Sequence, residues 1–408
     1  MSLDTQRAAQ LVQLHKHDLA LAEIDAVLAE DPNNYRAHAL RALVFMEKKR
    51  RKEALEAAMR AVTLAPDEDY PHYIMSLIHF NLTGYYRKSE AAIKEALRIN
   101  PQEADYYDVL ASLRLVRREY REALEICDKG LRLDPGHVDC KRTRATALTK
   151  LGRGQEAEEA VRGALRLDPG NPATMATLGW TRLESGDHQG ALEAFRDALR
   201  TDPSDEHARE GLVEALKARN FLFRQFLKYR FWYGNLGGQA RWGFIIGLLL
   251  VSRLLRAVPA LMPLVWVYGL FVLSGWLMDP IFNLFMRFNK FGRYALTKAQ
   301  STASTMVAGC ILCAVAIAAA GAGAGLPTLA IGAIPVFLLA IPITGTSTFH
   351  PHEPGKYRKS QYYTVAVGVL AVGSLIALPF NEDVRVGLFV AAVIGAIGFT
   401  WFFAWLQR

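Results

Sequence analysis

The chain has 408 residues, of which 51% are hydrophobic, and it carries a formal net charge of +8. The charge is uneven, because residues 1–216 hold 31 basic and 36 acidic side chains whereas residues 217–408 hold 17 and 4. This excludes a uniformly basic nucleic-acid-binding protein, and the length allows two or three domains. Four cysteines predict no disulfide framework, and the first residues contain no apolar segment typical of a cleavable signal peptide. The first half is therefore expected to be reduced and cytosolic.

The first half repeats with a period of about 34 residues. Its prolines lie 34 or 35 residues apart, at Pro32, Pro66, Pro101, Pro135, Pro169 and Pro203. Five residues before each proline is a slim side chain: Val27, Ala61, Ala96, Gly130, Ala164 and Ala198. Twelve residues before it is another: Ala20, Ala54, Ser89, Ala123, Ala157 and Ala191. Apolar residues at helical spacing between these columns predict two short amphipathic helices per unit, packed closely and ended by the proline.

This pattern resembles the tetratricopeptide repeat (TPR) over residues 1–205. The copy that matches best is 172–205, with Leu178, Gly179, Gly186, Ala191, Phe195 and Ala198. The resemblance implies an all-α protein whose residues 1–218 form a solenoid of about six repeats, closed by a helix at 206–218. The first copy is degenerate, as terminal repeats usually are. The third copy has one extra residue near Tyr85 and is expected to lack a small residue in its first helix, which predicts altered local packing.

The resemblance also implies a function, because TPR solenoids usually bind a protein or peptide segment on the face formed by their first helices. One TPR subtype clamps a carboxylate with Lys and Asn, but the first helices here offer no such pair. We therefore expect a scaffold that is not an enzyme, uses no cofactor or metal, and takes no small-molecule substrate. The candidate groove residues are Tyr73, Asp105, Asp108, Ser112, Arg142, Thr146 and Trp180.

The second half is predicted to be a polytopic membrane domain at residues 242–408. About 20 apolar residues span a bilayer, and stretches near that length suggest six spans, at 242–257, 261–282, 302–321, 327–345, 362–380 and 385–406. The first is interrupted by Arg253 and Arg256, so a version with four crossings, in which the first two stretches are embedded, is the alternative. Basic residues collect on the cytoplasmic side of membranes. The basic loops fall on one side only if the number of spans is even and both termini are cytoplasmic.

Residues 219–241 link the two halves and combine basic with aromatic side chains. Such a segment binds either single-stranded nucleic acid or a membrane surface, and the apolar stretches that follow favour an interfacial helix on anionic headgroups, with no nucleic acid. The residues predicted at the interface are Phe221, Arg224, Phe226, Lys228, Arg230, Phe231, Trp232 and Arg241. Asp279, the only acidic residue in a predicted span, has Arg241 as a candidate ion-pair partner, with an ion path as the functional alternative. The favoured interpretation is that Asp279 and Pro280 end a helix at the interface.

Other motifs carry no predicted chemistry. Cys310 and Cys313 lie in an apolar helix, which favours close helix packing over redox or metal chemistry. His350, His352 and Glu353 lack further ligands for a metal site. The leading hypothesis is thus a bacterial protein of the inner membrane that recruits a cytosolic partner through its TPR domain. The alternative is a subunit of a transport or channel assembly regulated by that domain.

Overall fold

The computed structural model describes residues 3–81, 85–235, 277–287, 296–347, 354–376 and 382–406, with the single positions 247, 253 and 264. Every regular element in these residues is an α-helix, so the predicted all-α fold is confirmed for the described part of the chain. The chain divides into two compact units, Met1–Gly211 and Leu212–Arg408. The division falls inside the helix that the sequence predicts to close the repeat array.

The first unit consists of six helix pairs, each a first and a second helix of one repeat, followed by the start of α13. The helices are α1 Leu3–Gln13, α2 His17–Glu30, α3 Tyr35–Glu47, α4 Arg51–Leu64, α5 Asp69–Asn81, α6 Tyr86–Ile99, α7 Ala104–Val116, α8 Tyr120–Leu133, α9 Val138–Lys150, α10 Gly154–Leu167, α11 Pro172–Ser185, α12 His188–Thr201 and α13 Glu206–Lys217. The repeat period of the sequence is therefore the period of the helix pairs.

The proline turns end one repeat and position the N-cap of the next. Asn34 accepts a hydrogen bond from the backbone N–H of Ala37 at 3.1 Å, and Asn171 accepts one from Thr174 at 2.9 Å. These side chains satisfy N–H groups that have no partner within the helix. Pro172 occupies the first turn of α11, where a missing N–H costs nothing.

The two columns of slim residues lie where the helices of a pair and of neighbouring repeats meet. All twelve are buried: Val27, Ala61, Ala96, Gly130, Ala164 and Ala198, and Ala20, Ala54, Ser89, Ala123, Ala157 and Ala191. Gly130 shows how close the helices are, because a Cβ there would lie 2.9 Å from Cys140 Sγ and 3.1 Å from Tyr107 Cβ. The role predicted for these columns is confirmed.

The packing of the third copy differs from the expectation. Its first helix does contain a small buried residue, Ser76, at the position that alanine or glycine occupies in the other copies. Ser76 Oγ lies 2.9 Å from Ser89 Oγ of the second helix, and each hydroxyl also reaches the backbone carbonyl of the other serine. The expectation was wrong because serine is as slim as this interface requires, provided that its hydroxyl is hydrogen-bonded.

The described helices of the second unit follow the last six residues of α13. They are α14 Phe221–Asn235, α15 Leu277–Met286, α16 Lys298–Gly323, α17 Pro327–Leu338, α18 Ala340–Ser347, α19 Pro354–Ile376 and α20 Glu382–Leu406. α16 begins with a capping box, in which the Thr297 hydroxyl accepts from the N–H of Gln300 and the Gln300 side chain accepts from the N–H of Thr297.

Small residues and hydroxyl groups join the apolar helices of this unit. A Cβ at Gly321 would lie 2.5 Å from the backbone nitrogen of Ala330, so α16 and α17 approach closely. Thr346 of α18 contacts the hydroxyls of Ser360 and Thr364 in α19 at 2.7 and 2.9 Å. Close backbone approach and hydroxyl pairs are typical of helices that pack in lipid, although helices in water use them too.

The predicted spans are only partly represented in the described residues. Two helical stretches, Lys298–Gly323 and Thr328–Thr346, are long and apolar enough to cross a membrane, a test that a core helix of a soluble protein also passes. The second stretch consists of two helices, α17 and α18. The span at 242–257 and most of that at 261–282 lie outside the described residues, so the number of crossings stays a prediction.

Candidate partner-binding face

The first helices of successive repeats lie side by side and form one face of the array. The rings of Tyr73 in α5 and Tyr106 in α7 are 5.0 Å apart, and the hydroxyls of Thr149 in α9 and Thr181 in α11 are 2.9 Å apart. We call this face, formed by α3, α5, α7, α9, α11 and the first turn of α13, the inner face. Its side chains recur in rows, because equivalent positions are one repeat apart.

The middle of the inner face is acidic and aromatic. Burial raises the pKa of the Tyr73 phenol well above its usual range, and the carboxylates of Asp105 and Asp108 add to this shift. Asp108 accepts a hydrogen bond from the Thr143 hydroxyl at 2.5 Å. Burial also raises the pKa of Asp108, and the nearby Arg142 guanidinium opposes that shift only in part. A further positive charge in this patch would therefore be stabilised.

Ion pairs organise the edge of this patch. His137 Nε2 lies 3.1 Å from Asp105 Oδ1, and the carboxylate raises the pKa of His137. Arg142 forms an ion pair with Asp139 at 3.0 Å, one turn earlier in the same helix. Surface pairs of this kind contribute little to stability, but they fix the charged side chains relative to one another.

The other end of the inner face is built around an indole ring. Trp180 stacks on His207 with ring centroids 5.1 Å apart, and its edge contacts Phe195 at 5.5 Å. Lys150 and Glu184 form an ion pair on the same side of α9 and α11. This end therefore offers a flat aromatic surface bordered by charges of both signs.

The seven predicted groove residues all fall on the inner face, although nothing in the structure tests whether they bind a partner. They form three rows: Tyr73, Asp108 and Arg142; Ser112, Thr146 and Trp180; and Asp105 with its equivalent Asp139. The prediction missed Asp139, Lys150, Glu184 and His207. Their positions in the 34-residue register could have identified Asp139 and His207, since both align with Asp105.

The linker helix α14 has two distinct sides. Phe223, Phe226 and Leu227 are buried inside the second unit, whereas Phe221 and Trp232 are 62% and 51% exposed. The sequence placed Phe226 at the interface, but its spacing from Phe223 puts it on the packed side of the helix. Arg224 lies over the ring of its neighbour Phe221 at 5.8 Å, and Lys228 is exposed.

Four charged residues of the second unit form a closed cluster, which we call the charge quartet: Glu214, Lys217, Arg230 and Asp279. Lys217 Nζ lies 3.3 Å from Glu214 and 3.1 Å from Asp279, and Arg230 lies 2.5 Å from Glu214 and 3.2 Å from Asp279. The quartet joins α13, α14 and α15. Burial disfavours the charged forms, but the two carboxylates outweigh it and raise the pKa values of Lys217 and Arg230.

The quartet changes the interpretation of two predicted residues. Arg230 was expected to face lipid headgroups, whereas the structure places it between two carboxylates. Arg241, the candidate partner of Asp279, lies outside the described residues; the described partners of Asp279 are Lys217 and Arg230. The histidines at 350 and 352 and Glu353 also lie outside the described residues, whereas Cys310 is half-buried and Cys313 is exposed.

The chain is similar to several solved structures at low sequence identity. The chain is 15% identical to a chain of the APC/C hetero-tetramer Cut9–Hcn1, with a TM-score of 0.47, covering 52% of this chain and 42% of that one. It is 18% identical to a tetratricopeptide repeat protein from Parabacteroides merdae, with a TM-score of 0.45, covering 52% and 83%. It is also 18% identical to pilF of Pseudomonas aeruginosa, with a TM-score of 0.41, covering 51% and 94%. The chain thus spans less than half of the Cut9–Hcn1 chain.

Family models identify the repeats directly. Models described as tetratricopeptide repeat match residues 117–180 and residues 6–69 and 176–220. No curated protein matches the chain. The matched residues include α3, α9 and α11 of the inner face, whereas α7 and all of α5 except Asp69 lie outside the matches. These parts of the chain therefore match the tetratricopeptide repeat, and such repeats imply a scaffold for protein–protein interaction.

Proposed function

We propose that this protein is a scaffold of the bacterial inner membrane that holds a cytosolic partner through its inner face. The observation that supports the proposal is that the two units of the chain present different kinds of surface. Side chains that can recognise a peptide line one face of the first unit, whereas the second unit turns large apolar side chains outward. The enrichment of basic residues in the second half supports contact with anionic lipid.

The exposed apolar surface supports the membrane part of the proposal. Leu312 of α16 is 70% exposed, and Val369 of α19 and Ile394 of α20 are 67% and 64% exposed. A soluble monomer rarely exposes large contiguous apolar patches, and lipid tails would cover these side chains. We propose that the second unit crosses the bilayer an even number of times, with the repeats in the cytoplasm.

The inner face supports a partner segment of a particular chemistry. The acidic patch around Asp105 and Asp108 favours a lysine or arginine side chain, and the adjacent tyrosine rings favour its apolar stem or a neighbouring aromatic group. Farther along, Trp180 offers a flat surface to an apolar side chain. An extended segment with a basic residue followed by an apolar one fits this order.

The experiment compares partner capture by four versions of the chain in cells. These are the wild type, the double variant Tyr73→Ala/Asp108→Asn, the matched control Arg196→Ala on an exposed position of α12, and residues 1–218 alone. Proteins recovered with each version in mild detergent are quantified by mass spectrometry, in the membrane and soluble fractions separately.

We expect a protein that the wild type and Arg196→Ala enrich in the membrane fraction and that the double variant fails to retain. Residues 1–218 should still bind this protein but leave it in the soluble fraction. The proposal fails if no recovered protein depends on Tyr73 and Asp108, or if the partner is found at the membrane regardless of which version is supplied.

A further inference from the structure

Two histidines and one glutamate meet at the N-terminal end of the repeat array, away from the inner-face patches described above. His15 Nδ1 lies 3.3 Å and His17 Nδ1 lies 3.2 Å from the same oxygen, Oε2 of Glu47. The three atoms that could bind a cation all lie within 4.8 Å of one another. They come from two parts of the chain, since the histidines flank the turn between α1 and α2 and Glu47 is the last residue of α3.

The backbone of the turn explains why the two rings converge. His15 has a φ of 54°, in the left-handed region that non-glycine residues rarely adopt. This conformation closes α1, because the N–H of Lys16 donates to the carbonyl of Leu11 at 2.9 Å. It also directs the chain into α2 at once, and the rings of His15 and His17 are 5.9 Å apart.

Two of the three separations between the candidate ligand atoms fit the edges of a metal-centred tetrahedron. With bonds of about 2.0–2.2 Å from zinc to imidazole nitrogen and carboxylate oxygen, neighbouring ligand atoms lie about 3.4 Å apart. The two observed separations from Glu47 Oε2, 3.2 and 3.3 Å, are close to that edge length. Two histidines and a glutamate are also a donor set used by zinc, with the fourth position open. We propose that His15, His17 and Glu47 form a binding site for one Zn²⁺ ion.

The charged side chains around the three ligands limit which other groups could bind the ion. Asp18 follows the second histidine but accepts a hydrogen bond from Lys48 Nζ at 2.5 Å, so that its charge is already balanced. Lys16 and Lys49 also lie on the two segments that supply the ligands. The excess of positive charge disfavours weakly bound cations such as Mg²⁺, which needs several oxygen ligands. The site would therefore select Zn²⁺ through its bonds to the imidazole nitrogens.

Zinc at this position would fasten the degenerate first repeat to the second. His15 and His17 belong to the terminal helix pair, whereas Glu47 belongs to the first helix of the next pair. The stability of a solenoid depends on the interfaces between neighbouring repeats, and the ion would add to this one. An ion that binds only the folded arrangement stabilises it by mass action.

Zinc binding is measured on the full-length chain, purified in mild detergent without a histidine tag. Zn²⁺ is titrated against a chromogenic chelator at neutral pH, and thermal unfolding is followed with and without the ion. We expect this site to compete with the chelator for one Zn²⁺ ion per chain. We also expect a higher melting temperature in the presence of Zn²⁺. Replacing zinc by Co²⁺ should give the intense visible absorption of tetrahedral coordination.

Three variants and one control assign the site. His15→Ala, His17→Ala and Glu47→Gln should each weaken zinc binding by about tenfold or more, which is about 1.4 kcal/mol or more, and should abolish the thermal shift. Glu47→Gln keeps the shape of the side chain, so it separates loss of a ligand from loss of folding. His38→Ala is the matched control, because that imidazole contacts the carbonyl of Pro32 and no carboxylate. Equal zinc affinity in the wild type and in the three variants would overturn the proposal.

Discussion

At the scale of the residue, Gly179 packs against the ring of Phe195. This close contact allows a test of how the helices of the array pack. A Cβ at this position would lie 2.6–2.8 Å from three ring atoms of Phe195, which is fully buried. We expect Gly179→Ala to lower the free energy of unfolding by about 1–3 kcal/mol, the usual cost of overpacking. Urea unfolding of residues 1–218 measures it. Gly163→Ala is the control, since the nearest atoms there are side-chain tips 3.8 and 4.0 Å away; equal losses in both variants would contradict this explanation.

At the same scale, the sequence was sufficient to predict features that recur in every repeat. It was not sufficient to predict features that depend on a single contact between two residues. The slim columns were visible because six copies repeat them. Ser76 was not recognised as a small interface residue because its hydroxyl needs Ser89 as a partner, and nothing in the chain's local pattern shows that pair. The zinc ligand Glu47 lies 30 residues from His17, so only the fold brings the two together.

At the scale of the element, α14 combines a packed side with a side available to lipid. We expect a peptide of residues 219–233 to bind anionic vesicles and, after Arg224 and Lys228 are changed to Gln, to bind them about 30-fold more weakly. Each basic residue near an anionic surface contributes about 1 kcal/mol, and ~2 kcal/mol corresponds to that factor. Vesicle co-sedimentation measures it, with neutral vesicles as the control. Insensitivity of the unmodified peptide to lipid charge, or a preference for single-stranded nucleic acid at physiological salt, would count against the interfacial role.

The charge quartet connects three helices, α13, α14 and α15, through its ion pairs. Lys217 is 3% exposed, so removing one carboxylate leaves a buried positive charge without full compensation. We expect Asp279→Asn to destabilise the full-length chain by about 3 kcal/mol, seen as a lower melting temperature in detergent. The double variant Lys217→Met/Asp279→Asn should recover part of this loss, because it removes one charge of each sign. A double variant that is less stable than the single one would show that attraction within the quartet does not explain the effect.

At the scale of the whole molecule, the proposed topology follows from where the charges lie. The stretch before the first apolar segment, the loop after the second and the loop at 346–361 are basic, while the segments near residues 321–325 and 381–385 carry little net positive charge. Positive loops stay in the cytoplasm because they resist translocation. An even number of crossings is the arrangement that leaves all the basic loops on that side, and it holds for six spans and for four.

Reporter fusions test this arrangement directly in a bacterial host. A reporter active only in the periplasm should be silent when fused to Met1 or Arg408, and active when inserted between Gly321 and Gly325, where α16 ends. A reporter active only in the cytoplasm should give the opposite pattern at the same three positions, which controls for fusions that fail to fold. Periplasmic activity at Arg408 would require an odd number of crossings and would contradict this arrangement. Cytoplasmic activity between Gly321 and Gly325 would instead mean that α16 does not cross, and the repeats would then be held at the membrane by other helices.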